Sequence, residues 1–113
     1  MTKEKIKRVP KAWGEEIWLV NCKEYCGKLL KLRRGVESSY HYHRVKKETF
    51  YALEGQIGLN MNGKGYMLNP FSRPKTIYPG VPHSFTGLTD ATILEISTHH
   101  DDDDVYRITE SKP

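Results

Sequence analysis

Short runs of alternating apolar and polar residues fill this chain, and no stretch repeats with the 3.6-residue period of an amphipathic helix. Runs of strand character occupy positions 13–20, 28–33, 40–43, 48–53, 56–61, 65–68, 76–78, 84–86 and 92–97, separated by Gly, Pro or Asn. Turns at Leu53-Glu54-Gly55, Asn62-Gly63-Lys64-Gly65 and Pro79-Gly80 recur at regular intervals. Asn62-Gly63 is a hairpin signal, because both residues tolerate positive φ, and it predicts a meander from 48 to 68. The chain reads as all-β. Its 113 residues suit a single domain with one barrel core, expected over about 11–108 with polar tails outside it. No linker, repeat or low-complexity segment divides it.

Within this pattern four side chains have metal-ligand character: His41, His43, Glu48 and His83. Alternate side chains of a strand share a face, so His41 and His43 can both point inward with Tyr42 outward. Arg44 to Lys47 make a short polar connection. Glu48 then opens a strand that can pair antiparallel with the first and aim its carboxylate at the same point. His83 follows the Pro79-Gly80 turn and supplies the fourth ligand from elsewhere in the chain. Imidazole with one carboxylate suits iron(II), manganese, cobalt, nickel or zinc. A histidine taken singly is more often a surface or core residue than a ligand, but four groups at these intervals point to a divalent transition metal as cofactor.

The spacing Gly35-x5-His41-x-His43-x4-Glu48-x6-Gly55, followed by Pro79-Gly80-x-x-His83, resembles the two motifs of the cupin superfamily. That resemblance implies a double-stranded β-helix, the jelly-roll barrel, with the four ligands converging inside it. The opening Lys11-Ala-Trp-Gly-Glu-Glu-Ile-Trp18 and the closing segment from Leu94 to Arg107 are similar to the ends of the cupin domains of bifunctional mannose-6-phosphate isomerases and of D-lyxose and D-mannose isomerases. Ser39 stands where the bifunctional enzymes carry Gln two residues before the first ligand. Four residues separate His43 from Glu48, a gap closer to stand-alone cupins and D-lyxose isomerases. The resemblance implies a metal-dependent sugar or sugar-phosphate isomerase of the aldose–ketose, mannose- or lyxose-like type. Cupins also include metal-dependent dioxygenases and non-catalytic carbohydrate-binding or regulatory proteins, and the ligand motif alone does not separate these classes.

Aldose–ketose interconversion moves a proton between C1 and C2 and needs a Lewis acid on the two oxygens and a positioned base. Glu95 is the expected base: it alternates with Ile93 and Ser97 in the last strand, although a carboxylate there could equally pair with a lysine or Arg107 at the rim. Lys31 and Lys46 are candidate substrate contacts, with exposure on the outer face as the competing reading. Phe50, Phe85 and Tyr78 are expected to pack in the core.

Charge and composition narrow the partners. The net charge is +4, yet the basic residues are spread along the chain without a helical module or RNA-binding aromatic signature, so no nucleic-acid partner is expected. Solvated faces account for most of this charge. The acidic run Asp101 to Asp104 after His99-His100 is expected to be a hydrated surface loop rather than a second metal tract. No apolar stretch approaches membrane-span length, and the charged N-terminus lacks the apolar run of a secretory signal; a cytoplasmic protein is expected. Cys22 and Cys26 fit free thiols in a reducing compartment. Trp13, Ile17 and Trp18 give the opening strand an apolar face that a lone barrel leaves uncovered, so a homodimer is expected.

Overall fold

Period-two alternation builds two antiparallel sheets facing each other. A computed structural model of the chain describes residues 6–111. Its strands are β1 (Lys7–Lys11), β2 (Gly14–Asn21), β3 (Cys26–Leu32), β4 (Tyr40–Tyr42), β5 (Glu48–Glu54), β6 (Ile57–Met61), β7 (Lys64–Leu68), β8 (Lys75–Ile77), β9 (His83–Gly87), β10 (Ala91–Ser97) and β11 (Tyr106–Thr109), with a 3-10 turn at Asp102–Asp104. One sheet has the order β1-β2-β3-β10-β5-β8 and the other β11-β4-β9-β6-β7. No described helix is long and apolar enough to cross a membrane. The β6–β7 hairpin turns on Asn62 and Gly63, with φ of 54° and 84°, as the dipeptide predicts. Both cysteines are free.

The inward faces are apolar over half their length only. On β3, Leu32 and Leu30 give way to Lys28 and Cys26; on β10, Ala91 and Ile93 give way to Glu95 and Ser97. On β5 the order is Ala52, Phe50, Glu48, and on β9 it is Phe85, His83. Register aligns these changes on β3 and β10, since Leu30 pairs with Ile93 and Lys28 with Glu95. On β5 the change falls one inward position later, with Phe50 opposite Glu95 and Glu48 opposite Ser97. One end of the barrel is therefore a packed plug that includes Trp13, Leu30, Phe50, Ile57, Leu59, Phe85 and Ile93. The other end is lined by buried polar groups. Each apolar side chain in the plug contributes roughly 1.5–3 kcal/mol, whereas a buried ion costs several kcal/mol in desolvation unless it is paired. The plug holds the fold, and the polar end draws on its stability.

Several expectations are corrected here. β4 and β5 do not pair: they lie in opposite sheets, because the 44–47 connection crosses the barrel rather than folding back as a hairpin. The ends are not only polar tails, since β1 and β11 are edge strands, and Tyr106 stacks on Tyr42 at 5.2 Å. Residues 1–5 of the expected N-terminal tail lie outside the described residues. Trp13 and Trp18 do not form an outer apolar face. Trp13 meets Phe85 edge-on at 5.0 Å inside the barrel, and Trp18 lines the cavity; Ile17 remains on the outer face of β2. Lys28, counted among solvated charges, is buried, and so is Lys46, the candidate substrate contact, which therefore does not sit on the outer face. Phe50 and Phe85 are core residues as expected, while Tyr78 is exposed beneath the Lys47 ammonium.

Candidate metal centre and cavity

Alternation on and just beyond β4 turns His41 and His43 to the same side, and the pairing of His41 with His83 places the third imidazole on the adjacent strand. Glu48 faces them from β5 across the barrel. The three histidines offer nitrogens within 4.8 Å of one another. Each ring is oriented by a backbone carbonyl: His41 Nδ1 donates to Ser39 at 2.9 Å, His43 Nδ1 to Asp104 at 2.8 Å, and His83 Nδ1 to Val81 at 2.9 Å. A carbonyl can only accept, so the proton sits on Nδ1 and leaves Nε2 free for coordination. Burial, reinforced by His83 and His43, pushes the His41 pKa down to about 3, which keeps that ring neutral at physiological pH.

Glu48 Oε2 lies 3.1 Å from His43 Nε2 and 3.2 Å from His83 Nε2. Short as these contacts are, Glu48 Oε2 and His83 Nε2 are buried without a hydrogen-bond partner. Two orphaned acceptors facing each other in a protein interior are costly, and a divalent cation between them would satisfy both. The donor set of three imidazoles and one carboxylate fits a transition metal with positions left open.

The loop after His43 is shaped by the acidic run. The Asp104 carboxylate accepts from the backbone N–H groups of Arg44 at 2.8 Å, Val45 at 3.1 Å and Lys46 at 3.0 Å, while its own carbonyl holds His43. Burial resists ionisation of Asp104, yet these donors hold its carboxyl below the usual range. The run is thus structural at this position. Asp101 caps the 3-10 turn and Asp102 accepts from His100 Nε2 at 2.9 Å.

The loop delivers Lys46 to the interior. Its ammonium reaches Glu95 Oε2 at 3.0 Å, His100 Nδ1 at 3.0 Å and Glu48 Oε1 at 3.6 Å. Burial opposes the charge, but Glu95 and Glu48 outweigh it and raise the Lys46 pKa. Glu48 is pulled well below the usual carboxylate range in the same way: burial works against ionisation, and the Lys46 ammonium offsets it. Glu95 also accepts from Ser97 Oγ at 3.1 Å. Because Lys46 engages Oε1, Glu48 presents only Oε2 to the histidines.

These groups line a cavity of about 420 Å³ that also takes in Trp18, Lys28, Glu16 and His100, a size suited to a small-molecule ligand. His41, His43, Glu48, Lys46 and Glu95 are brought together here. Lys31 is not. Inward positions on β3 are Lys28, Leu30 and Leu32, so alternation turns Lys31 outward, where it is exposed and lies 3.7 Å from Glu54 beside a separate surface cleft. The lysine on that strand that does face the cavity is Lys28, whose place among Cys26, Leu30 and Leu32 at period two was the available signal. His100, Glu16 and Trp18 were likewise not anticipated as lining residues, since they lie outside the ligand motif.

No protein-family model and no curated protein matches the chain. Solved structures do. CapF, a capsular polysaccharide assembling protein of Staphylococcus aureus, superposes with a TM-score of 0.81 at 15% identity over 95% of this chain and 32% of CapF, so the chain spans about a third of that protein. Pac13 of Streptomyces, a nucleoside dehydratase solved with uridine, gives 0.81 at 15% identity, covering 97% of this chain and 93% of Pac13. KdgF of Halomonas sp. gives 0.72 at 17% identity over 79% and 82% of the two chains. The fold is the cupin jelly roll.

Metal analysis of purified protein is expected to find a divalent transition metal, with reduced occupancy in His43→Ala. Lys46→Met leaves all four metal-facing side chains in place but frees Glu48 Oε1, and chelator competition should show affinity about 10–100-fold weaker. Wild-type affinity in that variant would show that Lys46 does not orient Glu48. A protein that stays metal-free after incubation with nickel, zinc or manganese would remove the metal reading altogether.

Acid should destabilise the metal-free protein in a defined window. Burial, with Lys46 and Lys28 nearby, pushes the His100 pKa down to about 4, against about 6.5 for an unfolded histidine. Between these values the unfolded chain binds more protons, so stability is fully present above about pH 6.5 and falls as pH drops toward 4. His41 acts in the same direction, and the lowered carboxyls of Glu16 and Glu48 add to the loss only below about 4.5. Urea midpoints should therefore decline between pH 7 and 5, less steeply in His100→Gln; a flat profile over that interval would contradict the assigned environments.

Proposed function

We propose that this protein is a metal-dependent isomerase that interconverts an aldose and a ketose of the mannose or lyxose type, free or phosphorylated, in the cytoplasm. The observation that supports this most is the buried Glu95, held by Lys46 in the cavity that His41, His43 and Glu48 also line. When bound, a divalent metal supplies a Lewis acid for two adjacent sugar oxygens. Glu95 is placed to remove the proton from one carbon and return it to the next. Its other duty is structural, since it shares the Lys46 ammonium with Glu48. Lys46 stays protonated and fixes both carboxylates relative to each other. Neighbours named for capsular polysaccharide assembly and for nucleoside dehydration are consistent with a sugar-bearing ligand in a barrel of this shape. A dioxygenase would need no positioned base, so the buried Glu95 in the cavity supports the isomerase, while its pairing with Lys46 is the structural role that the sequence also offered.

In deuterated water, the metal-loaded protein should place deuterium at C1 or C2 of a mannose- or lyxose-related sugar or its phosphate. Glu95→Gln is expected to lower turnover by about 10²–10⁴-fold with metal content retained. Full activity in that variant would reassign the base. Tight binding by metal-replete wild type without turnover of any such sugar would replace the isomerase with a carbohydrate-binding protein.

The outer face of the six-stranded sheet supports the homodimer reading with Ile17 retained and the two tryptophans replaced by residues of β3 and β10. Ile17, itself buried, lies in one row with the half-buried Leu29 and Leu94 across three strands, with Leu19 and Ile96 exposed beside them. A second copy covering that face would remove a contiguous apolar strip from water. Light scattering should give twice the chain mass at micromolar concentration, and Leu94→Lys should shift it to the monomer. A wild-type monomer would overturn the pairing.

A further inference from the structure

The inward face of the six-stranded sheet carries one transverse row that the proposed reaction does not use in full. Register aligns Glu95 on β10 with Lys28 on β3, Lys28 with Trp18 on β2, and Trp18 with Lys7 on β1. All four line the same cavity. The row starts beside Lys46 and the histidines and ends at the edge strand. Lys28 is only 1% exposed, with its ammonium 4.0 Å from the centroid of the Trp18 ring and 3.3 Å from Glu16 Oε1. Lys7 lies over the same indole at 4.5 Å, and Lys11 is 3.9 Å from Glu16 Oε2.

Charge is unbalanced at this end. Lys28 and Lys11 contact one carboxylate, that of Glu16, with Lys7 beside them over Trp18 and the exposed Asp102 as the other acid lining this end, whereas near the histidines Lys46 is matched by Glu95 and Glu48. Burial resists ionisation of Glu16, but Lys28 and Lys11 lower its pKa, so it remains an anion, and with Asp102 it leaves one of the three cations unmatched. Lys28 has three donors, and its one hydrogen bond among the described residues goes to Glu16. A buried ammonium with unused donors facing a cavity is a preorganised anion contact. The indole beneath it gives a flat apolar wall.

We propose that this half of the cavity is an anion subsite, in which Lys28, Lys11 and Lys7 receive a carboxylate or phosphate on the ligand whose reacting carbons face the histidines. This rests on the reading that a sugar occupies the cavity, and it narrows that reading to acidic sugars: a uronic acid or a sugar phosphate. The shared chemistry is a singly or doubly charged oxyanion. Trp18 would lie beside the ring that carries it.

Calorimetry on metal-free protein separates this charge preference from attraction to a bound cation. Mannuronate, mannose 6-phosphate and mannose are the probes. At least one acidic probe should bind about tenfold tighter than mannose or better, a difference of about 1.4 kcal/mol, and added salt should erode the gap. Which of the two gains more identifies carboxylate or phosphate as the source. The preference should vanish in Lys28→Met, survive in Lys28→Arg, and shrink in Lys7→Ala/Lys11→Ala, which alters partly or fully exposed positions and so tests the subsite if the buried substitution unfolds the barrel. Equal affinities for acidic and neutral probes, undetectable binding of both acidic probes, or an undiminished preference in the double variant would overturn the subsite. Deuterium incorporation is read separately: an acidic preference without turnover sinks the isomerase and leaves the subsite, whereas turnover of neutral mannose with no acidic preference does the reverse.

Discussion

The Lys46 ammonium is the constraint on which the polar half of this barrel depends. Removed from water, an ammonium costs several kcal/mol, and only close acceptors recover that cost. Here there are three: Glu95, His100 and Glu48. They come from β5, β10 and the segment after β10, so one cation ties together chain segments far apart in sequence. Each acceptor depends on it in return. Without Lys46 the Glu48 carboxylate would lose its nearest cation, and burial would drive it toward the neutral form. A protonated Glu48 would be a poor metal ligand. Fixing the ammonium therefore also fixes the charge state of the centre.

Delivery of that ammonium explains the acidic run near the C-terminus. Three successive backbone N–H groups at 44, 45 and 46 converge on the Asp104 carboxylate, making a small anion nest from consecutive amides. The nest bends the loop so that Arg44, Val45 and Lys47 point outward while Lys46 turns in. Through its carbonyl the same residue sets the His43 ring. Asp102 acts one step further out: it accepts a hydrogen bond from the Nε2–H of His100, leaving Nδ1 as the acceptor that Lys46 requires. Residues that look like a hydrated tract thus orient the groups that face the ligand.

How much of this was legible in the sequence follows from the range of each interaction. Alternation and turn residues locate nine strand regions and the Asn62-Gly63 hairpin because those signals are local. His41, His43, Glu48 and His83 stand out because ligand chemistry requires fixed residue types at short intervals. β1 was missed because Lys7–Lys11 has one inward apolar residue, Val9, among charged neighbours and a proline. Lys31 was preferred over Lys28 because the expected strand began at 28, which hid the alternation with Cys26. The pairing of β4 with β5 failed for a topological reason: a four-residue connection is as compatible with crossing between sheets as with a hairpin, and only the remaining strands decide. The roles of Asp104 and His100 rest on contacts across about sixty and about fifty-five positions that no local pattern encodes.

The level at which the inward faces change from apolar to polar also determines what the cavity can do. Plug residues give the strands a rigid base, and sites built on such strands hold side chains more tightly than loops do. Beyond that level the same strands carry Lys28, Glu95, Glu48 and His83 at period two, so the sheet register that packs the core also sets the distances between the charged groups. A one-residue slip of β3 against β10 would expose Leu30 and Lys28 to the outside and bring Leu29 and Lys31 in. Such a slip is opposed by the burial of Leu30 and Leu32 in the plug. The core thus enforces the geometry of the site through register alone, which leaves the polar end free to adopt an ion network of little intrinsic stability and to use its charges on a ligand.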